Sequence, residues 1–218
     1  MRPSKLALGA GYAALVLISA LFIVPFVWLL RSSLMDLSQI FTMPPEWIPK
    51  PFHWDNFHRA LTILPFGTFF ANTLVIVAGV LVGTVATSSI AAFGFSRIRW
   101  RGREAVFGIL MTSMMLPAAV TLIPSFLGWK TLGLYDTFYP LIVPAYFGGG
   151  VFNIFLLRQF YLTIPRDFDE AAVVDGATYF QIYLRIILPL SRSVLIVVAL
   201  FSFLGSWNDF MGPLIYLK

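Results

Sequence analysis

Five stretches of this chain are each about twenty residues long and almost wholly apolar, and that pattern sets the solvent in which it folds. They run over about 10–30, 69–95, 105–129, 138–157 and 193–211, and Asp209, near the end of the fifth, is the one charged residue within them. A helix needs about 20 apolar residues to cross the hydrocarbon core of a bilayer. The chain has 218 residues, 59% of them hydrophobic and 11% charged, against about 25% charged in soluble domains. So short a chain has too little interior to hide that much apolar surface from water. A soluble enzyme, a disordered tail and a secreted disulfide scaffold are therefore excluded. Cysteine is absent, so there is neither a disulfide framework nor a thiolate metal site. The expected fold is all-α: a single transmembrane domain over residues 1–218, a polytopic helix bundle.

The first stretch follows Arg2 and Lys5, as a signal peptide would, but an h-region is about 7–15 residues long. The apolar run from Leu6 to Leu30 is longer and has no good small-residue cleavage site after it. It reads as a retained span.

The net charge of +5 does not form a stripe for nucleic acid. Ten of the fifteen basic residues (Arg2, Lys5, Arg97, Arg99, Arg101, Arg103, Arg158, Arg166, Arg185 and Arg192) fall on one side of the five-span layout. The positive-inside rule makes that side cytoplasmic and places the N-terminus there. Trp28, Trp100, Trp129 and Trp207 fall near span ends, where amphipathic rings settle. His53 and His58 sit in a proline-rich outer loop with no third ligand nearby, and they read as loop residues.

The link between the fourth and fifth stretches, about 163–189, is too polar for lipid and too long for a simple turn. Pro165 is placed for a first helical turn. Asp167, Asp169 and Glu170 follow where the helix dipole favours negative charge. Ala171 and Ala172 favour helix, and Gly176 can take positive φ and end it. A second helix is expected from about Thr178 to Ile187, with Pro189 at its end or at the entry to the fifth span. Such a bent helix pair, with small residues on one part and acids on another, fits a partner's groove. The acids argue against a linker lying on anionic headgroups.

Glu170-Ala171-Ala172, Asp175-Gly176-Ala177, and then Ile186, Leu188 and Pro189 resemble the EAA loop of ABC importer permeases, with the spacing kept. Phe70-Ala-Asn-Thr73, Phe95–Arg103, Met115–Pro124, Phe152–Phe160, Trp207-Asn-Asp-Phe210 and Pro213-Leu-Ile215 are also similar to that family. The resemblance covers essentially the whole chain. It points to the carbohydrate branch and, within it, to the maltose permease G-type subunit. That type has a sixth span after the Trp-Asn-Asp-Phe segment. Five spans of the expected six are present before Lys218, so the chain resembles a C-terminally truncated permease lacking its last span.

The resemblance implies a subunit that is not itself an enzyme and lies in a bacterial or archaeal cytoplasmic membrane. It implies three kinds of protein partner, a second permease subunit, ATP-binding cassette ATPase subunits and an extracytoplasmic solute-binding protein, with the lipid bilayer as a fourth partner; nucleic acid is not among them. ATP and Mg are expected on the ATPase, because neither Gly79-x-x-x-Gly83 nor Gly148-Gly149-Gly150 continues into a P-loop. Catalytic and metal residues are expected to be none. Glu170, Ala171, Ala172, Asp175, Gly176, Ala177, Ile186, Leu188 and Pro189 would carry the coupling to the ATPase.

Candidates for the substrate pathway are Gly148, Gly149 and Gly150, Asn153 and Asp209. Weakened helix at membrane depth can line a cavity. An amide can bond a sugar hydroxyl, and an acid in a span is a functional candidate by default. Each also has a structural reading: a kink, a packing contact, a cap. Gly79-x-x-x-Gly83 reads as close helix packing, and Pro117 and Pro124 read as kinks in the third span. Other readings stay open: a permease for a polyol, sugar phosphate or peptide; a secondary transporter, which would want ionisable groups at midplane; and a non-functional membrane remnant.

Overall fold

The computed structural model describes residues 5–218, so Arg2 lies outside the described residues. Every regular element among them is helical. The chain divides into two units, one running to Phe70 and one from Ala71 to Lys218.

The first unit is led by α1 (Lys5–Ser33). Its apolar stretch Leu8–Ser33 is 26 residues long, more than a bilayer crossing needs. Leu17, Leu21 and Phe22 stand exposed along it, as lipid-facing residues do. The proline-rich segment behind α1 is a folded cap, with α2 (Leu37–Ile40) and α3 (Asp55–Ile63). Asn56 donates to the carbonyls of Ser33 and Met35 at 3.1 and 2.9 Å. Arg31 lies 4.2 Å over the Trp28 ring and donates to the Glu46 carbonyl.

The second unit holds most of α4 (Phe66–Ser96), then α5 (Arg103–Ser113) and α6 (Ala118–Thr131). A short α7 (Tyr139–Ile142) runs into a 3-10 turn (Val143–Tyr146). After it come α8 (Val151–Thr163), α9 (Asp167–Val174) and α10 (Tyr179–Ile182). A π-helical turn (Tyr183–Ile187), α11 (Leu188–Leu190), α12 (Arg192–Trp207) and α13 (Met211–Tyr216) complete the unit.

The breaks fall at Pro117 and at Gly148–Gly150, where the sequence carries its helix-weakening residues. Among the described residues three helical stretches are long and apolar enough to cross a membrane: Leu8–Ser33, Phe66–Ser96 and Tyr139–Thr163. The third stretch, 105–129, is instead divided between α5 and α6. Proline lacks the N–H of the i→i−4 ladder and pushes the residue before it out of the α region. Pro117, with no N–H to give to a continuing ladder, stands in extended backbone at the start of α6, whereas Pro124 stays inside it. The fifth stretch is mostly α12, and the second helix of the polar link, Tyr179–Leu190, meets Arg192–Trp207 at 80°.

The core gathers where α4, α5, α8, α9, α10 and α12 converge, around Phe93, Leu157, Tyr161, Ile182, Ile187 and Val198. Nearer the middle of α4, small residues let another segment approach. A Cβ on Gly79 would meet Ile142 Cγ2 at 2.8 Å, and one on Gly83 would meet the Tyr146 ring at 2.7 Å and Ala145 Cβ at 3.1 Å. Thr87 Oγ1 donates to the Ala145 carbonyl at 2.9 Å across the same contact. This is the close packing that small residues spaced four apart permit. Overpacking of this kind costs about 1–3 kcal/mol, and a flexible isoleucine yields more easily than a ring. Gly83→Ala is therefore expected to lower the melting temperature in detergent by more than Gly79→Ala; equal losses would contradict this packing.

Candidate functional site

The polar link folds into a bent helix pair. Asp167, Asp169 and Glu170 occupy the first turn of α9, facing the positive end of its dipole. At the other end Gly176 has φ +79°. Its N–H donates to the Val173 carbonyl at 3.0 Å, and that of Ala177 donates to Ala172 at 2.9 Å. This pair of bonds is the Schellman closure. Thr178 then starts the second helix with a capping box: the Gln181 N–H donates to its Oγ1 at 3.3 Å, and its own N–H donates to Gln181 Oε1 at 2.8 Å. The Thr-x-x-Gln signal for that cap stands plainly in the sequence.

The residues predicted for this loop divide by direction. Glu170, Ala171, Asp175 and Gly176 are exposed, and so is Pro189. Ala172 is buried in the core, and Ala177, Ile186 and Leu188 pack against it. Outward from α9 point Phe168, Val173 and Val174, the last 87% exposed, followed by Tyr179 and Phe180. The loop thus presents an apolar ridge edged by carboxylates. The π-helical turn roots it in the membrane helices, where the Tyr183 hydroxyl and Ser89 Oγ lie 2.6 Å apart.

The arginines beneath it stand in the sequence as a topology signal and, for Arg97 and Arg158, as parts of the Phe95–Arg103 and Phe152–Phe160 motifs, and neither reading shows what they hold. Arg97, just past α4, donates to the Tyr161 and Ile164 carbonyls at 2.6 and 2.8 Å and pairs with Asp169 at 3.0 Å. Its side chain is 3% exposed. Arg158, on α8, returns the favour to α4: it donates to the Phe95 carbonyl at 3.2 Å, pairs with Glu104 at 2.8 Å and lies 4.1 Å over the Phe107 ring. Arg166 reaches the Ser96 carbonyl at 3.4 Å. The C-terminal ends of α4 and α8 leave carbonyls without helical partners, and each is capped by a guanidinium from the other side, where the dipole favours a cation. Removing one partner of a buried pair costs about 3–5 kcal/mol, because the other charge is left uncompensated.

A hydrogen bond from Arg103 chiefly holds the Glu104 carboxyl below the usual carboxylate range; desolvation opposes this, and the charge of Arg158 adds to the lowering. This tie is in force at neutral pH and loosens only as the pH falls through the lowered value. Together Arg97, Arg99, Arg166, Asp169, Glu170 and Tyr179 line an open cavity of about 400 Å³ beside α9.

The pathway candidates occupy other places. Gly148, Gly149 and Gly150 all have positive φ (108°, 63° and 90°) and interrupt the fourth stretch between the 3-10 turn and α8. A Cβ on Gly149 would strike the Thr84 carbonyl oxygen and sit 3.0 Å from Ser88 Cβ. Asn153 Nδ2 donates to the Gly149 carbonyl at 2.7 Å, so that amide group is engaged in holding the turn. Asp209 lies in the turn between α12 and α13, where its Oδ1 accepts from the Gly212 N–H at 3.0 Å. Among the described residues no hydrogen bond joins Asp209 to the glycines or to Asn153.

Comparison with known proteins adds the following. Residues 83–217 match the model of the family described as binding-protein-dependent transport system inner membrane component. The chain is 30% identical over 205 residues to the diacetylchitobiose uptake system permease protein NgcG of Streptomyces coelicolor, covering 93% of this chain and 67% of that protein. It is 29% identical to the inner membrane ABC transporter permease protein YcjP of Escherichia coli, covering 95% and 75%. With the sn-glycerol-3-phosphate transport system permease protein UgpE of Yersinia pestis it shares 30% identity, covering 83% and 66%. Among solved structures, a bacterial ABC transporter involved in import of the acidic polysaccharide alginate matches with TM-score 0.84 and 25% identity, over 100% of this chain and 78% of that one.

Proposed function

Since the chain belongs to the family of binding-protein-dependent transport system inner membrane components, we propose that it moves sugars or oligosaccharides by alternating access, driven through α9 by a separate ATPase. It is an all-α, multi-pass membrane permease of the ABC importer type, of the carbohydrate branch. The ATPase carries the ATP and Mg; a second permease subunit completes the path, and an extracytoplasmic binding protein delivers the solute. In this reading the N-terminus is cytoplasmic, which the distribution of arginines and lysines supports.

The observation that carries this reading is the α9 ridge. Phe168, Val173 and Val174 are apolar yet exposed, on a helix too polar for lipid. A groove on a partner would cover them. Glu170, exposed at the edge, supplies a charge-assisted contact to a basic group there, and Gly176 sets the bend. Likeness to UgpE favours one second reading, a phosphorylated polyol as cargo.

The test is copurification with an ATP-binding cassette ATPase coexpressed from the same organism, followed by uptake in proteoliposomes. The chain is expected to retain the ATPase through purification, and uptake is expected to need ATP and to ignore ionophores. Glu170→Lys is expected to weaken retention at least tenfold, as for a buried charge contact made repulsive. Uptake that collapses with an ion gradient and ignores ATP would instead make it a secondary transporter.

A further inference from the structure

We propose that Arg97 is the positioning residue that makes α9 and the membrane helices move as one piece, so that motion imposed on the loop reaches the translocation path. This rests on the reading of α9 as the ATPase-docking helix. Three observations lead to it. One guanidinium holds three segments: it stems from the end of α4, bonds two carbonyls at the end of α8, and pairs with Asp169 in α9. Only that ion pair gives α9 a charged tie to the spans, since Asp167, Glu170 and Asp175 are exposed and no ion pair is found for them among the described residues. Finally, the covalent path from α8 to α9 is the short stretch Ile164-Pro165-Arg166, whose first carbonyl is one of the two that Arg97 holds.

A buried ion pair adds little net stability against an apolar alternative, but it fixes register. The planar fork of arginine holds its donors in fixed, separated directions that suit acceptors on different segments, which the compact ammonium of a lysine does not reproduce. Arg97 thus acts as a pin at the corner where force must turn from the loop into the spans. With the pin loosened, α9 keeps its exposed ridge and still docks, but its displacement is taken up by the flanking turns.

The experiment compares the assembled importer carrying wild-type permease, Asp169→Asn or Arg97→Lys in proteoliposomes. Solute transported per ATP hydrolysed is measured, with ATPase retention checked on the same preparation. Asp169→Asn keeps the size of the side chain and removes the charge. It is expected to retain the ATPase and to lower the transport-to-hydrolysis ratio about tenfold, the scale of one charge-assisted bond; Arg97→Lys is expected to do the same. A merely structural role would lower transport and hydrolysis together and leave the ratio unmoved, and that result would overturn the proposal. So would loss of the ATPase from Asp169→Asn, which would place Asp169 in the docking surface. If Arg97→Lys fails to accumulate, Asp169→Asn decides alone. Failure of the wild-type chain to bind an ATPase would instead sink the docking reading.

Discussion

Gly149→Ala is expected to strip most of the protein from the membrane fraction. Two penalties act at one atom. The backbone at Gly149 has φ +63°, where an L-residue costs roughly 1–2 kcal/mol. The new methyl would also be driven into the Thr84 carbonyl oxygen, with Thr84 Cα and Ser88 Cβ each 3.0 Å away. Those are atoms of a long helix, not the tip of a side chain, so they cannot swing aside. Overpacking adds about 1–3 kcal/mol, and the sum is a large share of the 5–15 kcal/mol by which a domain is stable. Gly148→Ala is the control: φ is +108° there too, but the nearest atom is Ile154 Cδ1 at 3.8 Å. Membrane levels and melting temperature of the two variants decide the matter. If both fall equally, the approach to α4 is not what the glycine serves.

Gly176→Val is expected to accumulate normally and yet lose at least nine-tenths of transport. No atom lies within 4 Å of the Cβ it would add, so crowding is not the reason. The reason is φ +79°, an outlier for a β-branched residue and a strain of about 1–3 kcal/mol. The exposed last turn of α9 gives way more easily than the buried core, so the Schellman bonds open and Val173 and Val174 leave the ridge. ATP hydrolysis is then expected to proceed without matching transport. Gly176→Asn, which tolerates left-handed backbone, should keep most of the activity. Wild-type uptake by Gly176→Val would show that the bend is dispensable.

Much of this was legible in the sequence because membrane solvation leaves few options. Apolar runs must become helix, since no water satisfies backbone groups in hydrocarbon, and acids, small residues and one glycine announced the bent loop. What stayed hidden depends on neighbours that a linear reading does not place. Arg97 and Arg158 look like any arginines on the positive side until α4 and α8 end side by side. Pro117 and Gly148–Gly150 were legible as weak points, but hydropathy averages across them and does not tell a kink from a full break. Asn153 and Asp209 carry groups able to bond a sugar hydroxyl, and the hydrogen bonds they make within the chain, to the Gly149 carbonyl and from the Gly212 N–H, are not visible in the sequence. Of the loop residues, only their spacing was visible, and the division into exposed Glu170 and inward Ala172 needed the core.

The π-helical turn over Tyr183–Ile187 has a consequence for chain length. It holds one residue more than an α-helical ladder would use. Deleting a residue inside it can close the ladder to an α-turn while leaving the flanking helices in phase. Inserting a residue between Thr178 and Tyr183 has no such outlet. It would turn Tyr183 by about 100° around the helix, away from Ser89. Length variation in this stretch is therefore one-sided: the segment has slack to lose and none to gain.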